Sequence, residues 1–159
     1  MERKIVENII GQLKDVQNGD TWYDDNIENK INQLSEEEAF VRPIPELHSV
    51  AELISHMMAW RIDTVRRLTG LESKLTMESP ENWRNNEELR GKGWDQLKVE
   101  FRKSQEDLVN ALDKMDDDKL FNTPFKEYKL IYLVQGILHH DLYHLGQIGI
   151  TVKFLKNRG

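Results

Sequence analysis

The chain has 159 residues, of which 38% are hydrophobic and 31% charged, and its formal net charge is −6. That length predicts one domain, residues 1–159, with enough apolar mass for a core. The acidic balance argues against a nucleic-acid partner, which requires a concentrated basic face, and zero cysteines exclude a disulfide framework, a zinc ribbon and a cysteine nucleophile.

No apolar run approaches the ~20 residues of a membrane span, and the opening MetGluArgLysIleValGluAsn lacks a signal-peptide core. The expectation is a cytoplasmic protein with neither a nucleic-acid nor a membrane partner.

Helical periodicity dominates from the start. Residues 2–18 predict an amphipathic helix with Ile5, Ile9, Leu13 and Val16 on one face, stopped by Gly19 and Asp20. Residues 22–34 predict a shorter helix carrying Trp22, Ile27, Ile31 and Leu34. Ser35 before a triple glutamate reads as the cap of one more turn. Pro43 and Pro45 break the chain. Ser49 and Glu52 form a capping-box pattern that opens a helix to about Thr69, with Gly70 as its stop. Residues 71–92 are polar and predict a long loop, with room for a short helix. A fourth major helix spans about Trp94 to Lys114, and a last one about Lys129 to Lys156. Together these predict an all-α fold, a four-helix bundle with a long crossing loop.

The most informative residues lie in LeuHisHisAspLeuTyrHisLeuGlyGlnIle, 138–148. His140 and His144 are four apart, hence neighbours on one helical face, roughly 5–6 Å between Cβ atoms. Two such imidazoles can share a divalent metal with Zn–N bonds of about 2.0–2.1 Å. At about 100° per residue, Leu130, Leu133, Val134, Ile137, Leu145, Ile148, Val152 and Leu155 share one face. His144 falls within it, His140 at its edge and His139 on the far side. On the Ser49-capped helix, Val50, Leu53, Met57, Trp60 and Leu68 form the apolar face, with His56 at its edge. His48 precedes the helix. Three histidines on two helices therefore face inward: His56, His140 and His144. The plainer reading of each is a packed, hydrogen-bonded side chain.

Two charges also fall on apolar faces, Asp141 and Arg61. A buried charge is costly unless paired, so the pattern predicts an Asp141–Arg61 ion pair pinning the two helices. The other reading of Asp141 is an acid that orients a ligand imidazole. The loop 71–92, with Met77, Pro80 and Trp83, predicts one wall of a substrate pocket; its plainer reading is an inert connection.

HisSerValAlaGluLeuIleSerHisMetMetAlaTrpArg (48–61), followed far downstream by HisAspLeuTyrHisLeuGlyGlnIle (140–148), resembles the DinB-like, or YfiT-like, family of bacterial four-helix bundles. GlyAspThrTrpTyr (19–23) and ArgProIlePro (42–45) extend the resemblance over nearly the whole chain. It implies a divalent metal, nickel or zinc, held by His56, His140 and His144. It also implies a small-molecule substrate and a small-thiol transferase of the bacillithiol, mycothiol or glutathione type, or a related hydrolase. A homodimer is implied as well, the commonest soluble oligomer. The alternative is a non-catalytic metal- or ligand-binding bundle. A di-iron bundle is excluded by the missing Glu-x-x-His pair, and a protease of the His-Glu-x-x-His type by the missing motif.

Overall fold

The computed structural model describes residues 2–157. Helices α1 (Lys4–Asn18), α4 (Val50–Leu68), α6 (Trp94–Asp113) and α8 (Leu130–Lys156) are the four long ones. Between them lie four short helices, α2 (Ile27–Ile31), α3 (Glu36–Ala39), α5 (Asn86–Arg90) and α7 (Asp117–Asn122). One hairpin, β1 (Pro124–Phe125) with β2 (Tyr128–Lys129), is the only sheet among the described residues.

α4 packs against α6 and α8, and α1 packs against the same two. The long helices thus form a four-helix bundle with α1 and α4 on one diagonal. Leu13, Leu53, Ile54, Met57, Phe101 and Leu108 meet at its centre, each at most 2% exposed. Among the described residues, no helix is long and apolar enough to cross a membrane.

Local chemistry sets the boundaries. Ser49 accepts from Glu52 N, and the Glu52 carboxylate accepts from Ser49 N, so the capping box forms in full. Glu52 is buried and is neutralised by Arg42, whose Nε donates to it at 2.9 Å. That contact explains the arginine of the Arg-Pro-Ile-Pro segment. Ser35 with Glu38 and Asn85 with Glu88 build two more capping boxes, for α3 and α5.

The helix predicted over 22–34 is cut to Ile27–Ile31. The Thr21 hydroxyl is hydrogen-bonded to both backbone groups of Asp25, Asp24 has a φ of +57°, and Asn26 caps the helix from its own side chain. These local bonds offer the backbone an alternative to helix, and Trp22 stands fully exposed. Ile5 is also exposed rather than inward; Val6, Ile9, Ile10 and Leu13 carry the buried face of α1.

The loop between α4 and α6 is fastened along α4. Asp63 accepts from Ser73 Oγ and from the backbone N–H groups of Lys74 and Leu75. Ser49 donates to Asn86, which in turn donates to the Phe40 carbonyl. These bonds bring residues 77–83 over the α4–α8 seam, where the inward histidines lie.

A candidate metal centre between helices α4 and α8

The structure brings His56, His140 and His144 together, although His56 and His140 are separated by 84 positions in the chain. One ligand atom from each lies within 4.8 Å of the others, and the three can hold a metal ion. His56 and His144 are buried, about 5% and 4% exposed, and His140 is half-buried at the rim. His140 Nε2 lies 3.0 Å from His56 Nε2 and 3.2 Å from His144 Nε2.

The outer ring nitrogens define the protonation. His56 Nδ1 lies 2.7 Å from the Asn82 carbonyl oxygen, which can only accept, so Nδ1 carries the proton and Nε2 a lone pair. Gln147 donates from its amide to the Tyr143 hydroxyl at 3.2 Å, leaving its carbonyl oxygen to accept from His144 Nδ1 at 2.6 Å. His144 Nε2 is then also a lone pair. Burial is the main reason both groups are pushed down to about 4, and the neighbouring imidazoles add to it. Both rings are therefore neutral at pH 7, the form in which an imidazole binds a metal.

Two lone pairs thus point at His140 Nε2, which has one site to answer them. A single proton there serves one neighbour well; one cation serves all three nitrogens. With metal–nitrogen bonds of about 2.0–2.1 Å, ligand nitrogens stand about 3.4 Å apart on a tetrahedral edge and about 2.9 Å on an octahedral one. The distances of 3.0 and 3.2 Å fall between these limits, and with the third nitrogen pair within 4.8 Å a small turn of the rings brings all three onto one ion, so the residues fit the group.

Trp83 is packed flat between two of the imidazoles. Its ring centroid is 3.8 Å from His56 on one side and 3.8 Å from His48 on the other, with interplanar angles of 7° and 8°. Asn82 fixes this arrangement, because its side chain accepts from Trp60 Nε1 and donates to the Met77 carbonyl. The loop predicted as a pocket wall therefore also orients a site histidine. His48 lies in that stack, outside the three-histidine group, with Nδ1 3.6 Å from Glu52. Its pKa is lowered, chiefly by burial. His139 is exposed.

Asp141 is paired with Arg61 as the sequence predicts. Arg61 donates from Nε to Asp141 Oδ2 at 2.9 Å and from Nη2 to Gln17 Oε1 at 3.0 Å. The guanidinium also lies 4.3 Å from the centre of the Phe101 ring. The second carboxylate oxygen, Oδ1, makes no hydrogen bond and sits 3.8 Å from His140 Nδ1, which makes none either.

Beside the histidines opens a cavity of about 440 Å³, walled by Trp60, Met77, Trp83, Phe125, Tyr132 and Tyr143 among others. Sequence reasoning placed Met77 and Trp83 there and missed Phe125, Asn82 and Gln147. Gln147 was findable, since it lies three positions from His144 on one helix face. Asn82 acts on His56 through its backbone carbonyl, for which no residue-type signal exists.

No curated protein sequence matches the chain. A crystal structure of the colibactin self-resistance protein ClbS in complex with a dsDNA superposes with a TM-score of 0.58 at 14% identity, over 92% of this chain and 90% of that one. At that identity the likeness establishes the fold. It also overturns the exclusion of nucleic acid, because a protein of this fold is found with duplex DNA. The physical reason is that a net charge sums 22 basic and 28 acidic side chains and ignores where each sign gathers on the surface. The model of the DinB superfamily matches residues 23–148, and with most of its length matched the chain belongs to that superfamily.

Proposed function

We propose that this chain is a divalent-metal-dependent enzyme acting on a small molecule, with His56, His140 and His144 as its three protein ligands. The observation that carries the reading is the convergence of His56 Nε2 and His144 Nε2 on His140 Nε2, at 3.0 and 3.2 Å. The donor set suits zinc or nickel, since imidazole is a common ligand of both. Three protein ligands leave coordination positions for water or substrate, the pattern of catalytic rather than structural zinc sites. A bound cation supplies Lewis acidity, which lowers the pKa of a coordinated water or thiol.

The chain's own residues supply the rest. Asn82 and Gln147 hold two imidazoles in the ligating tautomer, Trp83 covers one face of His56, and the aromatic walls offer an apolar surface beside the ligands. No cysteine is present, so sulfur chemistry here requires a diffusible thiol. We read the reaction as group transfer to a low-molecular-weight thiol of the bacillithiol, mycothiol or glutathione type, or a related hydrolysis. For the assembly we propose a cytoplasmic homodimer; its support is an exposed apolar stripe on α8, formed by Tyr132, Tyr143, Ile150 and Phe154. Sedimentation equilibrium at micromolar concentration checks it, and a monomer rules it out.

The test of the main reading is elemental analysis of untagged protein beside the three His→Ala variants, followed by a screen of thiols against electrophiles and of hydrolysable esters. One metal per chain, lost in each variant, with turnover that needs the metal, is the expected result. Stoichiometric metal without turnover leaves a metal-binding bundle. Because of the ClbS complex, duplex DNA belongs in the ligand screen.

A further inference from the structure

We infer that the cavity beside the three histidines takes an uncharged, aromatic or aliphatic molecular body, and that Gly136 sets how large that body can be. This rests on the proposed function and names the class of the electrophilic or hydrolysable substrate of the same site, as distinct from the charged low-molecular-weight thiol.

The cavity measures about 440 Å³, within the roughly 300–1,000 Å³ usual for small-molecule pockets. Among the described residues, its walls contain no Asp, Glu, Lys or Arg. Besides the histidines, the side chains that offer polar atoms are Thr64, Tyr132, Tyr143 and the indoles of Trp60 and Trp83, and the Trp60 N–H is already committed to Asn82. The groove on the far side of α4 differs in carrying charged side chains among its apolar ones. It measures about 800 Å³ and is ringed by Arg66, Lys74, Arg84, Glu81 and Glu100. A charged group in the histidine-side cavity loses its hydration and meets no countercharge from the walls. One anionic atom next to a bound cation is compensated by it; a second charge further out is not. Aromatic walls instead favour stacking and apolar burial.

Gly136 stands one helical turn before His140, so the two share a face. A Cβ at Gly136 would meet nothing within 4 Å, and the residue lines the cavity. Glycine is unfavourable inside a helix, and no close neighbour requires it here. The missing side chain is what keeps that end of the cavity open. Gly146, on the same helix, is equally unhindered but lies outside the cavity, which makes it a matched control.

The experiment compares two probes with one aromatic frame, neutral N-phenyl-1-naphthylamine and anionic 8-anilino-1-naphthalenesulfonate, by fluorescence titration of the full chain with and without zinc. The neutral probe is expected to bind at least tenfold more tightly. Gly136→Leu should weaken it at least tenfold while zinc stoichiometry is unchanged, and Gly146→Leu should leave it as it was. A sulfonate probe that binds the zinc-free protein as well or better, no binding of the neutral probe, or a Gly136→Leu protein that binds it normally overturns the inference. The two readings separate cleanly. Preference for the neutral probe without zinc binding sinks the metal centre and keeps the cavity assignment; one zinc per chain, with the sulfonate preferred by the zinc-free protein, does the reverse.

Discussion

Asp141 meets Arg61 through one carboxylate oxygen, at 2.9 Å from Nε and 2.8 Å from Nη2, and turns the other oxygen toward His140 Nδ1 at 3.8 Å. The carboxylate therefore stands between a helix-pinning cation and a site imidazole. At 3.8 Å the second contact is too long for a hydrogen bond, so the ion pair is its main role in this state.

Substitution separates the two roles. Asp141→Asn leaves Arg61 buried without a countercharge and should cost about 3–5 kcal/mol, the usual effect of breaking a buried pair. Urea unfolding measures it. If His140 Nδ1 turns to Asp141 when Nε2 binds metal, the same variant also weakens metal binding about 10–100-fold. Arg61→Met should lose stability without that loss of affinity. Equal affinity in Asp141→Asn and wild type assigns Asp141 to packing alone.

The histidines sort into two sets. His56→Ala, His140→Ala and His144→Ala should each lower zinc occupancy after dialysis. His48→Ala and His139→Ala should keep it at the wild-type level, as read by elemental analysis. A clear loss in His48→Ala would mean that a fourth ligand closes the site.

Trp83→Ala removes the flat stack on His56 and leaves the Asn82 carbonyl in place. An aromatic pair is worth about 0.5–1.5 kcal/mol, so zinc affinity should fall by roughly 2–12-fold. A competitive chelator titration resolves a change of that size. No change would show that the Asn82 bond alone orients the ring.

The pH response follows from the histidines held at about 4. Unfolded histidine titrates near 6.5. Between those values the unfolded chain binds more protons than the folded one, so metal-free stability falls as pH drops from about 6.5 toward 4. Above 6.5 these two groups contribute no slope. Histidine NMR shifts should show both rings neutral at pH 5.5, and urea midpoints at pH 7, 5.5 and 4.5 should descend. A flat urea profile across that range would mean that both rings are far better solvated than their burial implies.

Much of this was legible in the chain because the signals were local. The i, i+4 pair at His140 and His144, the Ser49–Glu52 box and the 3.6-residue period of α4, α6 and α8 each concern neighbours on one helix. Even the Asp141–Arg61 pair followed, since two opposite charges on apolar faces have few other solutions. The failures differ in physical origin. Trp22 matched a helical pattern, but Thr21, Asp24 and Asp25 hold the chain before α2 in a turn of their own; Ile5 does lie in α1, whose buried face instead runs through Val6, Ile9, Ile10 and Leu13. The hairpin at 124–129 lacks the Asn-Gly or Asp-Gly turn that marks such elements; Lys126 takes the positive φ instead. Asn82 reaches His56 with its backbone, and Phe125 enters the cavity from that unmarked hairpin. Distant backbone contacts of this kind have no periodicity to read.

The 84-residue separation of His56 and His140 has a thermodynamic consequence. A cation gripped by both is a removable staple across more than half of the chain. The loop it closes holds all of α6 and α7, so the unfolded chain, with its ends free, has little affinity for the ion. Ligation restricted to the native state raises stability as RT ln(1 + [L]/Kd), about 2.7 kcal/mol at a hundredfold excess over Kd. The melting temperature of this bundle then becomes a gauge of free metal, climbing with each decade of concentration, and dialysis against a chelator returns it to the unstapled value.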